Sequence, residues 1–288
     1  MFNALVWGAS WWPFRQLEAQ GLNPLWATVF VYLLASMVIV LLRPRALWRV
    51  LRTPTLWLLL LASGATNAAF NWGVVIGDVV RVVLLFYLMP LWAVLLARWL
   101  LGERITRAAS LRILLALLGA AIVLWPSRGS GVPGWQQLPI PRSLPDWLGV
   151  VGGFSFALNN VMLRREAQRP AEDRALAMFI GGVLVAGALA TGLAWQARVP
   201  WPPAVAPAWL GLAVVLSVLF LLSNLALQYG ASRLPANVTS VVMVSEVVVA
   251  SGSAVALGAG SLSAPLLAGG TLIVLAALLA AAEGSGAH

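Results

Sequence analysis

The chain lacks cysteine and lysine, and the only histidine among its 288 residues is His288 at its end. Without cysteine there is no disulfide framework, thiol nucleophile or cysteine-ligated metal, and the absence of lysine argues against a phosphate-binding loop. Charged residues occupy only 9% of positions, whereas soluble domains carry about 25%. A folded surface this poor in charge would aggregate in water, so the expected solvent is lipid.

Long apolar segments fill most of the chain. Hydrophobic residues occupy 61% of positions and the mean hydropathy is +0.92. The segments are continuously apolar rather than alternating, which predicts an all-α integral membrane protein instead of a β-barrel. A chain of this length accommodates roughly ten spans of about 20 residues. The ten predicted transmembrane helices cover 2–18, 25–42, 54–76, 79–101, 108–126, 146–164, 174–196, 207–230, 235–257 and 262–282.

Arginine alone carries the basic charge of the chain, whose net charge is +9. The arginines lie mainly in short loops between apolar segments, so we interpret them as topology determinants rather than as a nucleic-acid-binding surface. With the N-terminus inside, thirteen arginines fall on the inner side and five on the outer side. This positive-inside bias predicts a multi-pass membrane protein with both termini in the cytoplasm.

A faint internal repeat relates the two ends of the chain. A shift of 157 residues places Asn67–Gly73 on Asn224–Gly230, and a shift of 145 residues places Gly8–Trp11 on Gly153–Phe156. The order of these matches predicts two halves of five spans each. Chance similarity between apolar helices remains the alternative, because low-complexity sequences match easily.

The predicted halves are residues 1–127 and 146–288, joined by a periplasmic loop at 128–145. Five is an odd number, so the second half would enter the membrane inverted relative to the first. Inverted repeats are typical of transporters, which bind their substrate near the midplane between the halves. We therefore expect two inverted five-helix repeats around a central cavity.

Several short motifs resemble the EamA-type members of the drug/metabolite transporter superfamily. They are Trp7-Gly8, the run Leu84–Trp92 with its Pro90, the later Gly102-Glu103-Arg104, and Gly119 followed by Ile122-Val123. Within that superfamily the chain looks most like the YddG-type amino-acid exporters. The second half departs from the pattern, with Glu246-Val247 where Glu-Pro is frequent and Gly258–Ser261 where Gly-Glu is expected.

This resemblance implies a basket of ten helices with a central cavity. Spans 1–4 and 6–9 would line the cavity, and spans 5 and 10 would brace it from outside. The implied task is the outward movement of amino acids, aromatic and hydrophobic ones included, or of related small metabolites. A transporter of this type needs no cofactor and no metal, and we expect it to function as a monomer.

Polar and aromatic residues within the apolar segments are the candidate binding residues. Asn67 and Asn224 occupy equivalent mid-span positions, and Glu246 is a carboxyl near the midplane, where an unpaired charge costs roughly 3 kcal/mol. Glu246 is therefore a candidate for a substrate ammonium or a coupling proton. The predicted substrate-binding residues are Trp7, Ser10, Trp11, Asn67, Tyr87, Phe156, Asn160, Asn224 and Glu246.

Structural alternatives stay open for each of these residues. Asn67 and Asn224 could instead bond neighbouring helices, Glu246 could be a protonated carboxyl on a backbone carbonyl, and the aromatic residues could be helix packing. Pro90 is expected to bend span 4 and to free a carbonyl toward the cavity. Asp78 and Arg81 could form a gating ion pair at the outer mouth, with a solvated loop pair as the alternative.

Other function classes fit the sequence less well. Metal hydrolysis wants His, Asp and Glu clusters, which are missing from the sequence, so we expect no enzyme. A channel usually shows repeated filters or charge rings, and a structural membrane protein remains a further alternative. Within carriers, nucleotide sugars and drugs are the alternative substrates.

Overall fold

In a computed structural model, the described residues are 2–102, 106–125, 140–231 and 236–283; at 101, 227–231, 236–244 and 280–283 only the backbone is described. All regular secondary structure within these ranges is helical. The helices are α1 (Phe2–Ala9), α2 (Trp11–Ala19), α3 (Pro24–Leu42), α4 (Pro44–Leu51), α5 (Pro54–Ile76), α6 (Val79–Phe86), α7 (Met89–Leu101), α8 (Arg107–Leu124), α9 (Leu144–Arg165), α10 (Ala171–Trp195), α11 (Pro207–Ala231), α12 (Ala236–Ala256) and α13 (Ala264–Glu283).

Each of the ten predicted segments contains a helix. Six stretches are long and apolar enough to cross a membrane, namely α3, α5, α6 with α7, α8, α10 and α11, while α12 and α13 contribute shorter apolar runs. The prediction of an all-helical membrane protein is therefore confirmed for the described ranges. The count of ten spans stays a prediction, since α1, α2 and the more polar α9 fall outside this set. Most of the predicted loop 128–145 lies outside the described residues.

Proline interrupts two of the predicted spans one turn before its own position. The first span breaks at Ser10, and Pro13 has no N–H to donate to the carbonyl of Ala9, four residues earlier. The fourth span breaks after Phe86, whose carbonyl loses the N–H of Pro90 in the same way. The expected bend in span 4 is thus a break between α6 and α7.

The helix α4 was not among the predicted elements. Its buried residues are Ala46 and Val50. Arg49 binds Asp173 at the start of α10 through two hydrogen bonds of 2.6 Å. These hydrogen bonds to Asp173 raise the pKa of the Arg49 guanidinium above its ordinary value. The pair joins α4 to α10 at one face of the helix bundle.

Contacts between helix ends define two faces of the bundle. Asn3 in the first turn of α1 donates to the Ser223 hydroxyl near the end of α11, over 2.7 Å. These two ends, with α4 and the start of α10, form what we call the N-terminal face. At the opposite face, Trp26 near the start of α3 donates to the carbonyl of Pro200 beyond α10, over 3.1 Å.

Two glycines allow helices from different predicted halves to approach closely. A Cβ at Gly8 on α1 would come within 2.9 Å of the Glu246 carbonyl oxygen on α12. A Cβ at Gly153 on α9 would overlap the Phe86 carbonyl oxygen at the end of α6. The carbonyl that Pro90 leaves without a helical donor is therefore covered by the backbone of α9. The helices α8 and α13, also from different predicted halves, pack against each other.

Candidate functional site

A cavity of about 460 Å³ lies among the helices of the bundle. This volume is within the range of about 300–1,000 Å³ typical of small-molecule sites. Its polar lining consists of Asn3, Ser63, Thr66, Asn67, Asn159, Asn160, Asn224 and Glu246. Its aromatic lining consists of Trp7, Tyr32, Phe70, Phe86, Tyr87, Phe156, Phe179 and Phe220.

Seven of the nine predicted binding residues line this cavity: Trp7, Asn67, Tyr87, Phe156, Asn160, Asn224 and Glu246. Ser10 and Trp11 do not. The Ser10 hydroxyl donates to the carbonyl of Trp7 over 2.7 Å, and the Trp11 indole N–H donates to the Ser253 hydroxyl over 3.0 Å. The interpretation of Trp7, Ser10 and Trp11 as one cavity face is corrected, because the helix breaks at Ser10 and the cavity ends before that turn.

Asn67 both lines the cavity and joins two helices. Its amide oxygen accepts the Tyr32 hydroxyl over 2.6 Å, and its amide N–H donates to the Ser63 carbonyl over 2.8 Å. These bonds hold α3 against α5. The two interpretations of Asn67 are therefore compatible, because its position is a cavity position while its amide is largely used within the protein.

One aromatic cluster of the lining belongs to α1, α3, α10 and α11. The rings of Trp7 and Phe220 stack 4.5 Å apart with an interplanar angle of 8°. Tyr32 contacts both Phe220 and Phe179, with ring centroids 5.8 and 5.5 Å apart. Tyr32 was not predicted, because it belongs to no motif and looks like any other aromatic residue in an apolar run.

A second aromatic cluster is centred on Phe86 at the end of α6. Its ring centroid lies 4.9 Å from that of Phe70, 5.3 Å from that of Phe156 and 6.0 Å from that of Tyr87. The break at Pro90 places Phe86 and Tyr87 in the unwound link between α6 and α7 or beside it. Aromatic walls of the cavity thus come from both predicted halves.

Glu246 is the only carboxyl among the described lining residues, and none of these lining residues is basic. Its residue is 9% exposed. Within the part of the chain that the structure describes, no hydrogen bond or ion pair joins the Glu246 carboxyl to another side chain. Gly8 lies directly against the backbone of Glu246, and this contact sets the position of Glu246 along the axis of α1.

Ion pairs and caps join the helices at the opposite face. The Arg81 guanidinium on α6 binds the Asp146 carboxylate on α9 at 2.7 and 3.0 Å, and it also donates to the Val123 carbonyl at 2.8 Å. Asp78 instead caps α6 by accepting the Arg81 backbone N–H, and it also accepts the Ser261 backbone N–H. The predicted pairing of Arg81 with Asp78 is therefore wrong, because capping directs the Asp78 carboxylate to backbone groups.

Arg15 adds a further contact between helices at this face. Its guanidinium donates to the carbonyls of Val74 and Gly77 at 3.0 and 2.7 Å, which joins α2 to the end of α5. Trp11 packs beneath it, with the guanidinium carbon 5.4 Å from the ring centroid. Trp11, predicted to line the cavity, thus belongs to the packing that separates the cavity from the opposite face.

Within residues 2–102, 106–125, 140–231 and 236–283, no three His, Asp or Glu side chains lie close enough to hold an ion. The polar cavity residues are amides, hydroxyls and one carboxyl. Such a set suits hydrogen bonding to an organic molecule.

Residues 1–125 match the EamA-like transporter family. The resemblance drawn from the motifs is thus confirmed for that part of the chain, while the narrower likeness to YddG-type exporters stays a prediction. No curated protein matches the chain.

The helical arrangement also matches proteins of known structure. Fifteen chains match, and one of them, titled "Crystal structure of protein", is 20% identical with a TM-score of 0.57. The likeness covers 97% of this chain and 93% of that one. At this identity it shows the fold alone.

Proposed function

We propose that the protein is a secondary transporter that exports amino acids, aromatic and hydrophobic ones included, and related small metabolites by alternating access. The observation that carries the proposal is the cavity of about 460 Å³, which is lined by helices from both predicted halves. The match of residues 1–125 to a transporter family supports the same function class.

The position of the cavity supports an alternating mechanism. Its lining runs from the middle of the bundle toward the N-terminal face, with Asn3 in the first turn of α1, Leu163 in the last turn of α9 and Met178 in the second turn of α10. Toward the opposite face, the side chains of Trp11 and Arg15 would close the path from the cavity. A site open at one face and closed at the other corresponds to one of the two states that alternating access requires.

The chemistry of the lining suits an amino acid with an apolar side chain. Glu246 would receive the ammonium, amides such as Asn160 would contact the carboxylate, and the aromatic clusters would hold the side chain. A proton on Glu246 would leave when the ammonium arrives, which would couple export to proton entry. Nucleotide sugars fit less well, since phosphates are usually bound by arginine or lysine and none is present in the described lining.

We further propose that the protein works as a monomer in a bacterial inner membrane with both termini in the cytoplasm. The arginine distribution supports this orientation. The N-terminal face would then be cytoplasmic, and the cavity would be ready to receive its substrate from inside the cell.

Counterflow into proteoliposomes tests the proposal. Vesicles preloaded with unlabelled tryptophan or leucine should accumulate the labelled amino acid with saturable kinetics. Glu246→Gln should lower the initial rate at least about tenfold, because the ammonium loses its charged partner. Glu18→Gln, which changes an exposed carboxyl at the end of α2, is the matched control and should leave the rate unchanged.

Three results would contradict the proposal. Absence of saturable counterflow for every amino acid excludes the substrate class, and uptake of nucleotide sugars alone would replace it. Flux that does not saturate would indicate a channel.

The variant Asn67→Ala should lower the counterflow rate less than Glu246→Gln does, since the Asn67 amide is mainly bonded within the protein.

A further inference from the structure

We propose that the cavity selects its ligands by charge and binds aromatic amines that carry no carboxylate, as cations, more tightly than the corresponding zwitterionic amino acids. This inference rests on the proposed function only for the identity of the binding site. It adds aromatic monoamines and similar organic cations to the proposed ligands and predicts that they bind more tightly than amino acids.

The charges around the cavity favour a cationic ligand. Glu246 supplies a negative charge, and the described lining contains no arginine or histidine, while the chain contains no lysine at all. A ligand carboxylate in this cavity would lose its water without gaining a cation, which is unfavourable in a site of low polarity. A ligand ammonium would gain the Glu246 carboxyl, which has no hydrogen-bond or ion-pair partner among the described side chains.

The hydrogen-bonding groups around the cavity favour donors in the ligand. An ionised Glu246 carboxyl in the lining accepts hydrogen bonds and donates none. The amide N–H groups of Asn3 and Asn67 are already bonded to Ser223 and Ser63. An ammonium offers three donors and no acceptor, so it complements this set better than a carboxylate does.

The aromatic walls add a further preference for cations. A cation within about 6 Å of an aromatic face is attracted by the electron density of the ring, and an anion is not. The stacked rings of Trp7 and Phe220, and the rings around Phe86, supply apolar faces for an aromatic ring of the ligand. The cavity of about 460 Å³ has room for such a molecule.

Four indoles that share the ring and differ in the charged groups of a short side chain test the inference. Tryptamine is a cation, tryptophol is neutral, tryptophan is a zwitterion and indole-3-acetate is an anion at pH 7. Their affinities are measured by isothermal titration calorimetry on the full chain in nanodiscs of uncharged phosphatidylcholine. Tryptamine should bind at least about tenfold more tightly than tryptophan, and indole-3-acetate should bind most weakly.

The variant Glu246→Gln separates the charge effect from the shape of the cavity. It should lower the affinity for tryptamine to that for tryptophol, and the affinity for tryptophol should change less than about twofold. Glu18→Gln is the matched control and should keep the wild-type order. Binding of tryptophol shows that the cavity of the variant is intact. If Glu246→Gln binds none of the indoles, the order of the four affinities in the wild-type protein tests the inference.

The inference and the proposed function can fail separately. Tryptophan binding as tight as tryptamine binding, or no tryptamine binding at all, would overturn the inference, while saturable tryptophan counterflow would leave the transporter intact. Tryptamine preference that depends on Glu246, together with no saturable flux of any amino acid or amine, would support the ligand class and contradict transport.

Discussion

The ion pair between Arg81 and Asp146 lies at the opposite face, and under the proposed alternating mechanism its removal should favour the state open at that face. Asp146→Asn keeps the size of the side chain and removes its charge. The Asp146 residue is 3% exposed and accepts two hydrogen bonds from the Arg81 guanidinium. Opening of this face would separate α6 from α9 and break those bonds.

The expected shift follows from the strength of the pair. A hydrogen bond between charged groups contributes about 1.5–3 kcal/mol. We take about that amount for the whole pair, because the Arg81 side chain is 33% exposed and keeps its bond to the Val123 carbonyl. Each 1.4 kcal/mol changes an equilibrium constant by about a factor of ten. Asp146→Asn should therefore raise the ratio of molecules open at this face to molecules open at the N-terminal face about 10- to 100-fold.

Labelling of a single cysteine measures this ratio, because the chain has no cysteine of its own. Val83 on α6 is 1% exposed and lies between Arg81 and the cavity residue Phe86. In the Val83→Cys background, Asp146→Asn should speed labelling by a membrane-impermeant maleimide added at the opposite face by about tenfold or more. Asp173→Asn, which weakens the pairing of Arg49 with Asp173 at the other face and leaves its contact with Glu172, is the matched control and should not speed labelling.

An unchanged labelling rate would refute this reasoning. If Asp146→Asn alters the rate by less than about twofold while the protein remains folded, the pair does not hold the face closed. Equal acceleration by Asp173→Asn would also refute it, because the effect would then come from general loosening of the helix bundle. Labelling from the N-terminal face should fall when labelling from the opposite face rises.

Three further substitutions test the packing around the cavity. Gly8→Ala would place a Cβ within 2.9 Å of the Glu246 carbonyl oxygen, so α1 and α12 must separate, and ligand affinity measured by calorimetry should fall about tenfold. Trp11→Phe should leave ligand affinity within about twofold, whereas loss of its bond to Ser253 should cost about 1 kcal/mol in thermal unfolding. Asp78→Ala removes the cap of α6 and should cost about 1 kcal/mol in the same assay. A loss of affinity with Trp11→Phe, or none with Gly8→Ala, would contradict the assignment of these residues.

Helix positions were the most predictable part of the fold. The predicted segments 54–76 and 207–230 agree within one residue with α5 (Pro54–Ile76) and α11 (Pro207–Ala231). Proline marks the starts of both helices, and it fits the first turn because its missing N–H has no helical partner there. The break before Pro90 follows from the same missing N–H, although its position four residues upstream is visible only in the structure.

Polar residues in apolar runs were the most predictable part of the candidate site. Glu246 and Asn67 stand out in the sequence because a polar group in lipid is costly unless it has a partner or a task. Tyr32 and Asn3 carry no such signal, the first because aromatic residues are common in spans and the second because it lies at the chain start. The prediction that Ser10 and Trp11 share a cavity face with Trp7 assumed an unbroken helix, and the helix breaks at Ser10.

The sequence by itself determined that the protein lies in lipid and where most of its helices begin and end, because hydropathy and proline act locally along the chain. It placed one carboxyl in the middle of a span and thereby marked Glu246. Only the tertiary structure decided that Arg81 pairs with Asp146 rather than with its neighbour Asp78. Spacing along one helix says which side chains are neighbours on that helix. The partners across the cavity depend on how helices from both ends of the chain pack together.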